Sequence, residues 1–386
     1  MEQTSEEKQQ IVKDVLATLP EIIREDENTE ESIKYLETFP KVRGYDFNEG
    51  LDYEKLFDSY FHTGVQAYSL AKGIEIINKM ISWRLSDEEI AEDEEEKYKD
   101  PEVRKNTRCT IFLGYVSNTV TSGLREIVRY LCQHKMVDAI VTTTGAIEED
   151  FIKLTNNFHI GDFSFKGAEL YKQGLYRYGN ILGANEAYMD FEEFMLPLIK
   201  KLYDEQVEKG TIFTPSMLIN RMGKEINNED SIYYWCWKND IPVFCPGITD
   251  GAVGDNLFKF NYYQKGFIID VVADVYKINN LSIDAKKSGM ILLGGGTAKH
   301  HICNANAMRQ GADYAVYVNT AQEFDCSDSG ARPDEAVSWY KIKVDAEMVK
   351  IYSDTSIAFP IMVARTFVKN YDIATRLPEE CRRKTK

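Results

Sequence analysis

Two periods of apolar spacing divide the chain. Up to about residue 85 the spacing is helical. Residues 8–16 place Ile11, Val12, Val15 and Leu16 on one side, and residues 32–36 add Ile33 and Leu36, with Pro20 and Pro40 as stops. Residues 51–85 predict a long helical region, with Ala67, Leu70, Ala71, Ile74 and Ile77 on its apolar side. From Thr110 onward, short apolar runs alternate with helical ones. Strands are expected at 110–115, 137–141, 241–245, 290–293, 312–318 and 349–352. Helices are expected at 121–134, at 191–209 (interrupted by Pro197), from Thr214-Pro215-Ser216, at 268–278, from Lys299 and at 358–367. Strands that alternate with helices predict an α/β fold with a parallel sheet. The expected division is a helical N-terminal extension over 1–106 and a catalytic domain over 107–386. Residues 86–106 are strongly acidic and read as a mobile surface excursion. The aromatic run 232–238 reads as core or subunit interface.

Charge narrows the function classes. The 386 residues carry 46 basic and 62 acidic side chains, a net charge of −16. That balance argues against a nucleic-acid binder and suits cationic partners such as polyamines or a basic protein. Seven scattered cysteines without a CxxC pair, and no apolar leader, predict a reduced, cytoplasmic protein without a zinc cluster. No run is long and apolar enough to predict a membrane span.

The chemistry concentrates in residues 319–341, NTAQEFDCSDSGARPDEAVSWYK, after the alternating run Ala312, Tyr314, Val316, Val318. Glu323, Asp325, Asp328, Asp334 and Glu335 lead to Trp339, Tyr340 and Lys341, which the sequence places together at a strand mouth. Carboxylates beside aromatic faces suit a cationic ligand. A lysine enclosed by rings is desolvated toward its neutral form, which attacks carbonyls and imines. Hydroxyls and glycine at two further strand ends (Ser117, Asn118; Thr142-Thr143-Thr144-Gly145) could receive a nucleotide, or could be ordinary capped turns. There is no full G-x-G-x-x-G. Glu148, Glu149 and Asp150 follow, and Asp250 and Asp255 are expected in a glycine-rich loop. Gly294-Gly295-Gly296 suggests a ligand or another backbone lying close. His300 and His301 are adjacent, so they point about a hundred degrees apart on a helix; one is expected to turn into the pocket, without a metal.

Several long strings, among them CTIFLGYVSN, VDAIVTTTGAIEED, KHHICNAN, GADYAVYVNTAQEFD and SDSGARPDEAVSW, closely resemble deoxyhypusine synthases, over nearly the whole chain from about Thr107. The resemblance implies a Rossmann-like, mostly parallel sheet flanked by helices. It implies a homotetramer of two tight dimers with active sites at the dimer interface. The implied activity is NAD-dependent transfer of the aminobutyl group of spermidine, through an enzyme-lysine imine, to a lysine of the eukaryotic translation factor 5A precursor. Carried over by position, the catalytic residues are Lys341 and His300. The cofactor side comprises Ser117, Asn118, Thr119, Val120, Thr121, Thr143, Thr144, Gly145, Glu149, Asp250, Gly295, Thr320, Ala321, Asp354 and Thr355. The substrate side comprises Glu148, Glu149, Asp255, His300, Cys326, Ser327, Asp328, Glu335, Trp339 and Lys341. Three positions depart from the family pattern. Tyr340 and Cys326 stand where the family usually has glycine, and Ala146 ends a turn that usually differs. If those glycines serve a positive φ, Tyr340 strains the backbone. Homospermidine synthase, with putrescine as acceptor, and a regulatory paralogue in a mixed tetramer are the alternative implications.

Overall fold

The structure, a computed structural model, describes residues 29–382. The helix expected at 8–16 lies outside the described residues. The described residues divide into two compact units, one ending at Gly64 and the other beginning at Val65. In the first, the helix Thr29–Leu36 is present with Ile33 and Leu36 exposed. The helical region expected at 51–85 divides into Tyr53–Asp58, Tyr60–Thr63 and Val65–Ser82, and Gly64 takes a φ of 84° before the last of these.

The second unit begins at Val65, ahead of the expected catalytic domain 107–386. The reason lies in the helix Val65–Ser82, which buries Leu70, Ile76, Ile77 and Met80. A Cβ on Gly73 would stand 2.9 Å from Ile351 Cδ1 and 3.3 Å from Val316 Cγ1. Glycine there lets the helix lie directly on the sheet. The acidic segment that follows is also tied down. Buried Arg104 donates to the carbonyls of Leu85 (2.8 Å) and Glu88 (2.6 Å), and Lys286 holds Glu94 at 2.8 Å.

Six strands form a parallel sheet in the order β6-β2-β1-β7-β8-β9. They are β1 (Thr110–Tyr115), β2 (Ala139–Val141), β6 (Val243–Phe244), β7 (Ser288–Leu293), β8 (Ala312–Asn319) and β9 (Ile342–Tyr352). Helices on both faces bury β1 and β7, which explains their unbroken apolar runs. The chain enters at β1, moves outward to β2 and β6, then returns to the other side of β1 as β7 and moves out to β9. The order therefore reverses between β1 and β7, where a crevice opens beyond the strand ends.

Between β2 and β6 the chain builds a second, antiparallel sheet, β3-β5-β4, from His159–Ile160, Leu175–Tyr178 and Ile181–Ala184. The sequence predicts only a strand end at 180–183, which falls on the strand Ile181–Ala184, and does not predict its two partners. The helix expected at 121–134 is two helices, Ser117–Thr121 and Arg125–Gln133, separated at Ser122-Gly123. Pro197 lies inside the continuous helix Ala187–Lys209. Residues 232–238 form a helix capped by Ser231, with Tyr233 and Trp235 in the core.

Candidate active site

The crevice at the reversal point is a cleft of about 790 Å³. Asn118, Thr119 and Thr121 line it from the end of β1, Gly294 from β7, Asn319 and Thr320 from β8, and Asp354 and Thr355 from β9. Two neighbouring turns support the first group. The Ser117 amide donates to Thr143 Oγ1 at 3.0 Å, and the two hydroxyls lie 2.6 Å apart. A Cβ on Gly145 would come within 2.5 Å of Ser117 Oγ, so glycine permits this approach. Thr144 Oγ1 donates to the Gly247 carbonyl at 2.8 Å. Asp354 accepts the Ser356 amide at 2.7 Å and so caps the helix Thr355–Val363. Val120 is different: it is fully buried in the core. Gly295 faces Ser329 rather than open space, because a Cβ there would stand 2.6 Å from Ser329 Cα. The close neighbour is another stretch of backbone.

The donor set suits a dinucleotide. Hydroxyls, backbone amides and a strand-end carboxylate line the cleft. Asn319 Oδ1 is buried without a hydrogen-bond partner among the described residues. The antiparallel sheet adds Arg177, the one cation among the described lining residues, together with Phe163 and Tyr178. Sequence reasoning missed Arg177 and Asn319. A polar residue at the last position of a buried strand was the available signal for Asn319.

Carboxylates converge beside this cleft, at the ends of β2 and β6. Glu148 is buried and accepts the Val253 amide at 3.2 Å. Burial pushes its carboxyl up to about 7, and the charges of Asp255 and Asp250 add to that. Glu149 is also buried, and the Thr121 hydroxyl donates to it. Burial, and then the neighbouring Glu148, push it to about 7. Asp255 sits in the first turn of the helix Ala252–Tyr263, not in the loop where the sequence put it. Asp150 serves the fold instead, holding Arg125 Nε at 2.7 Å and the Ser231 hydroxyl at 2.5 Å.

The second group of site residues lies in the other half of the sheet. His300, on the helix Gly296–Ala307, places Nδ1 3.1 Å from Asp328 Oδ1 and Nε2 2.9 Å from Asn304 Nδ2. Asp328 Oδ2 is buried without a partner among the described residues. His301 is partly buried, and burial lowers its pKa. Cys326, Ser327 and Asp328 share one loop, and Glu335 lies on the short helix Pro333–Val337. Lys341 Nζ is 5.8 Å from the Trp339 ring centre. It is close enough to buried Lys299 for the two charges to repel. Both departures from glycine occupy the left-handed region, Cys326 at φ 58° and Tyr340 at φ 57°.

Two expectations about this group need correction. Lys341 precedes β9, and its carbonyl accepts the Ala312 amide at 3.0 Å. It therefore stands at the starting edge of the sheet, opposite the strand mouths. Parallel pairing of β8 with β9 requires this, because the connection must run back along the sheet before the next strand begins. Trp339 and Tyr340 are 65% and 73% exposed. The aromatic enclosure expected around Lys341 is thus not formed within this chain. Among the described residues no three His, Cys, Asp or Glu side chains are grouped as metal ligands, and no helix is long and apolar enough to cross a membrane.

A parallel sheet with a polar cleft at its reversal point, buried carboxylates on one side and a His–Asp pair near a lysine on the other, defines an α/β enzyme. The deoxyhypusine synthase family matches residues 55–366. A deoxyhypusine synthase of Senecio vernalis is 55% identical over 332 residues, 86% of this chain and 90% of that protein. Homospermidine synthase 2 of the same plant is 49% identical over 346 residues, 88% and 92% of the two chains. A solved structure from Entamoeba histolytica, described as a deoxyhypusine synthase, superposes with a TM-score of 0.62 at 35% identity, covering 85% of this chain and 97% of that one. The chain belongs to the deoxyhypusine synthase family, and it is an enzyme, a transferase.

Proposed function

We propose that this enzyme transfers the aminobutyl group of spermidine, with NAD as cofactor, through an imine on Lys341, to one lysine of the eukaryotic translation factor 5A precursor. The observation that carries the proposal is the His300–Asp328 pair, on the helix whose Lys299 is within reach of the Lys341 charge, with Asp328 Oδ2 buried and lacking a donor among the described residues. An unpaired buried carboxylate oxygen calls for a charged donor, which a polyamine ammonium supplies.

NAD would be held by Asn118, Thr119, Thr121, Thr320, Asp354 and Thr355 in the cleft, and when bound it supplies oxidation and final reduction of the aminobutyl carbon. Lys341 then contributes the nucleophile. Its neutral amine forms an imine with the aminobutyl carbon, 1,3-diaminopropane leaves, and the acceptor lysine displaces Lys341 by attack on the same carbon. His300, oriented on both ring nitrogens by Asp328 and Asn304, is suited to carry a proton during these exchanges. Glu148 and Glu149, whose protonation changes near pH 7, suit the cationic ends of the substrate.

The two residue groups lie in opposite halves of the sheet. β2 and β8 are three strand spacings apart, about 14 Å. With Trp339 and Tyr340 uncovered, this supports a site completed between copies, in a homotetramer. The outer face of the helix Val271–Ile283 supports assembly too: Val272 and Tyr276 are exposed while Asp274 and Ser282 point inward. Seven unpaired cysteines support a reducing, cytoplasmic setting.

Lys341→Ala tests the proposal. Transfer to the acceptor should be abolished with NAD binding unchanged, and full transfer by that variant would remove Lys341 from the mechanism. Homospermidine synthase is the second reading, favoured by the Senecio relative. Transfer to putrescine in preference to the protein lysine would select it. A regulatory paralogue is tested by the same assay: activity only with a second kind of subunit would support it.

A further inference from the structure

We infer that Lys299 and Lys350 are positioning residues that fix the loop 320–332, and with it the Asp328 carboxylate, each by setting a buried ammonium against a pair of backbone carbonyls. Lys299 is 3% exposed and Lys350 7%. Lys299 Nζ donates to the carbonyls of Asp328 and Ala331 (3.1 Å to the latter). Lys350 Nζ donates to those of Ala321 (2.8 Å) and Gly330 (2.5 Å). Each ammonium also lies against an aromatic face, 4.8 Å from the Tyr317 ring centre and 4.4 Å from that of Tyr352.

Lysine is rarely this buried without an ion pair. Among the described residues no carboxylate pairs directly with either ammonium; the negative ends of carbonyl dipoles take that place, and burial lowers both pKa values against the charges of Asp328 and Glu335 on Lys299 and of Glu323 on Lys350. The two lysines do different things. Lys350 ties the neck of the loop, where the chain doubles back so closely that a Cβ on Gly330 would stand 1.8 Å from the Gln322 carbonyl oxygen. Lys299 ties the loop to the helix that carries His300, its next residue. That second tie sets the spacing between His300 and Asp328. The inference rests on the proposed function only for the role given to Asp328; the clamping of the loop stands without it.

The test uses the full-length protein and the variants Lys299→Met and Lys350→Met, which keep an unbranched apolar stem as far as Cε and delete the ammonium with its donors. Hydrogen exchange reads the loop directly, since the Cys326, Gly330 and Ala331 amides are bonded within it. Exchange over 322–331 should accelerate at least tenfold in each variant, with β1 and β7 unchanged. The KM for spermidine should rise at least tenfold in Lys299→Met, while NAD affinity stays within twofold. Loop exchange equal to that of the parent protein in both variants would overturn the inference. So would acceleration that runs equally through β1 and β7, because it would mark the lysines as supports of the whole fold. If the parent protein does not turn over spermidine, the functional reading fails and the exchange result still decides the clamp.

Discussion

Glu149→Gln removes one of two carboxylates that the fold holds in a poor place for charge. The carboxyl rises from 4.5 to about 7 through burial and the adjoining Glu148, against the hydroxyl of Thr121. The folded state therefore keeps a proton that the unfolded chain releases. The stability this gives is complete below pH 4.5 and is lost as pH rises through 7. The displacement corresponds to about 3 kcal/mol. The side-chain amide of the variant can still accept from Thr121 and carries no charge, so the variant should lack this slope. Urea unfolding of both proteins at pH 5 and pH 8.5 makes the comparison. From the lower to the higher pH, the parent should lose about 2–3 kcal/mol more than Glu149→Gln. Equal slopes would refute the reasoning, as would a variant less stable than the parent at pH 8.5 by more than about 1 kcal/mol.

Other substitutions probe the remaining structural claims. Tyr340→Gly should leave stability unchanged or raise it by up to about 1 kcal/mol, because release from the left-handed region (about 1–2 kcal/mol) outweighs the added freedom of the unfolded chain; a loss above about 1 kcal/mol in urea unfolding would show that the exposed ring packs in a way that matters. Asp150→Ala strands the buried Arg125 guanidinium and should destabilise by about 3–5 kcal/mol, measured the same way. Gly73→Leu should weaken seating of the helix Val65–Ser82 on β8 and β9, read as faster hydrogen exchange in that helix, since even a Cβ meets Ile351 at 2.9 Å.

The strands buried on both faces were the most legible. β1 occupies the predicted span, and β7 extends it by two residues at its start. β9 was half hidden. Its opening residues include Lys343, Asp345 and Glu347, because this is an edge strand with an irregular register after Ala312, and only its buried end reads as apolar. Of the antiparallel sheet only a strand end at 180–183 was legible, for a related reason: its strands are short and none is fully buried. Individual site residues were legible from residue type and resemblance, but their grouping was not. Nothing in the residues 319–341 says that the chain travels back along β8, which separates Lys341 from the strand mouths. Nothing in the sequence marks Lys299 and Lys350 as buried, since their partners are carbonyls brought from a distant loop. The glycine departures were the reverse case. Their cost could be named from sequence, and both residues indeed adopt positive φ.

The claim that matters most is the covalent role of Lys341, and a trapping experiment addresses it directly. The purified protein, incubated with NAD and spermidine and reduced with borohydride, should carry an aminobutyl adduct on Lys341 that requires NAD. Folded protein with NAD bound and no adduct, or an adduct on another lysine, would contradict the account.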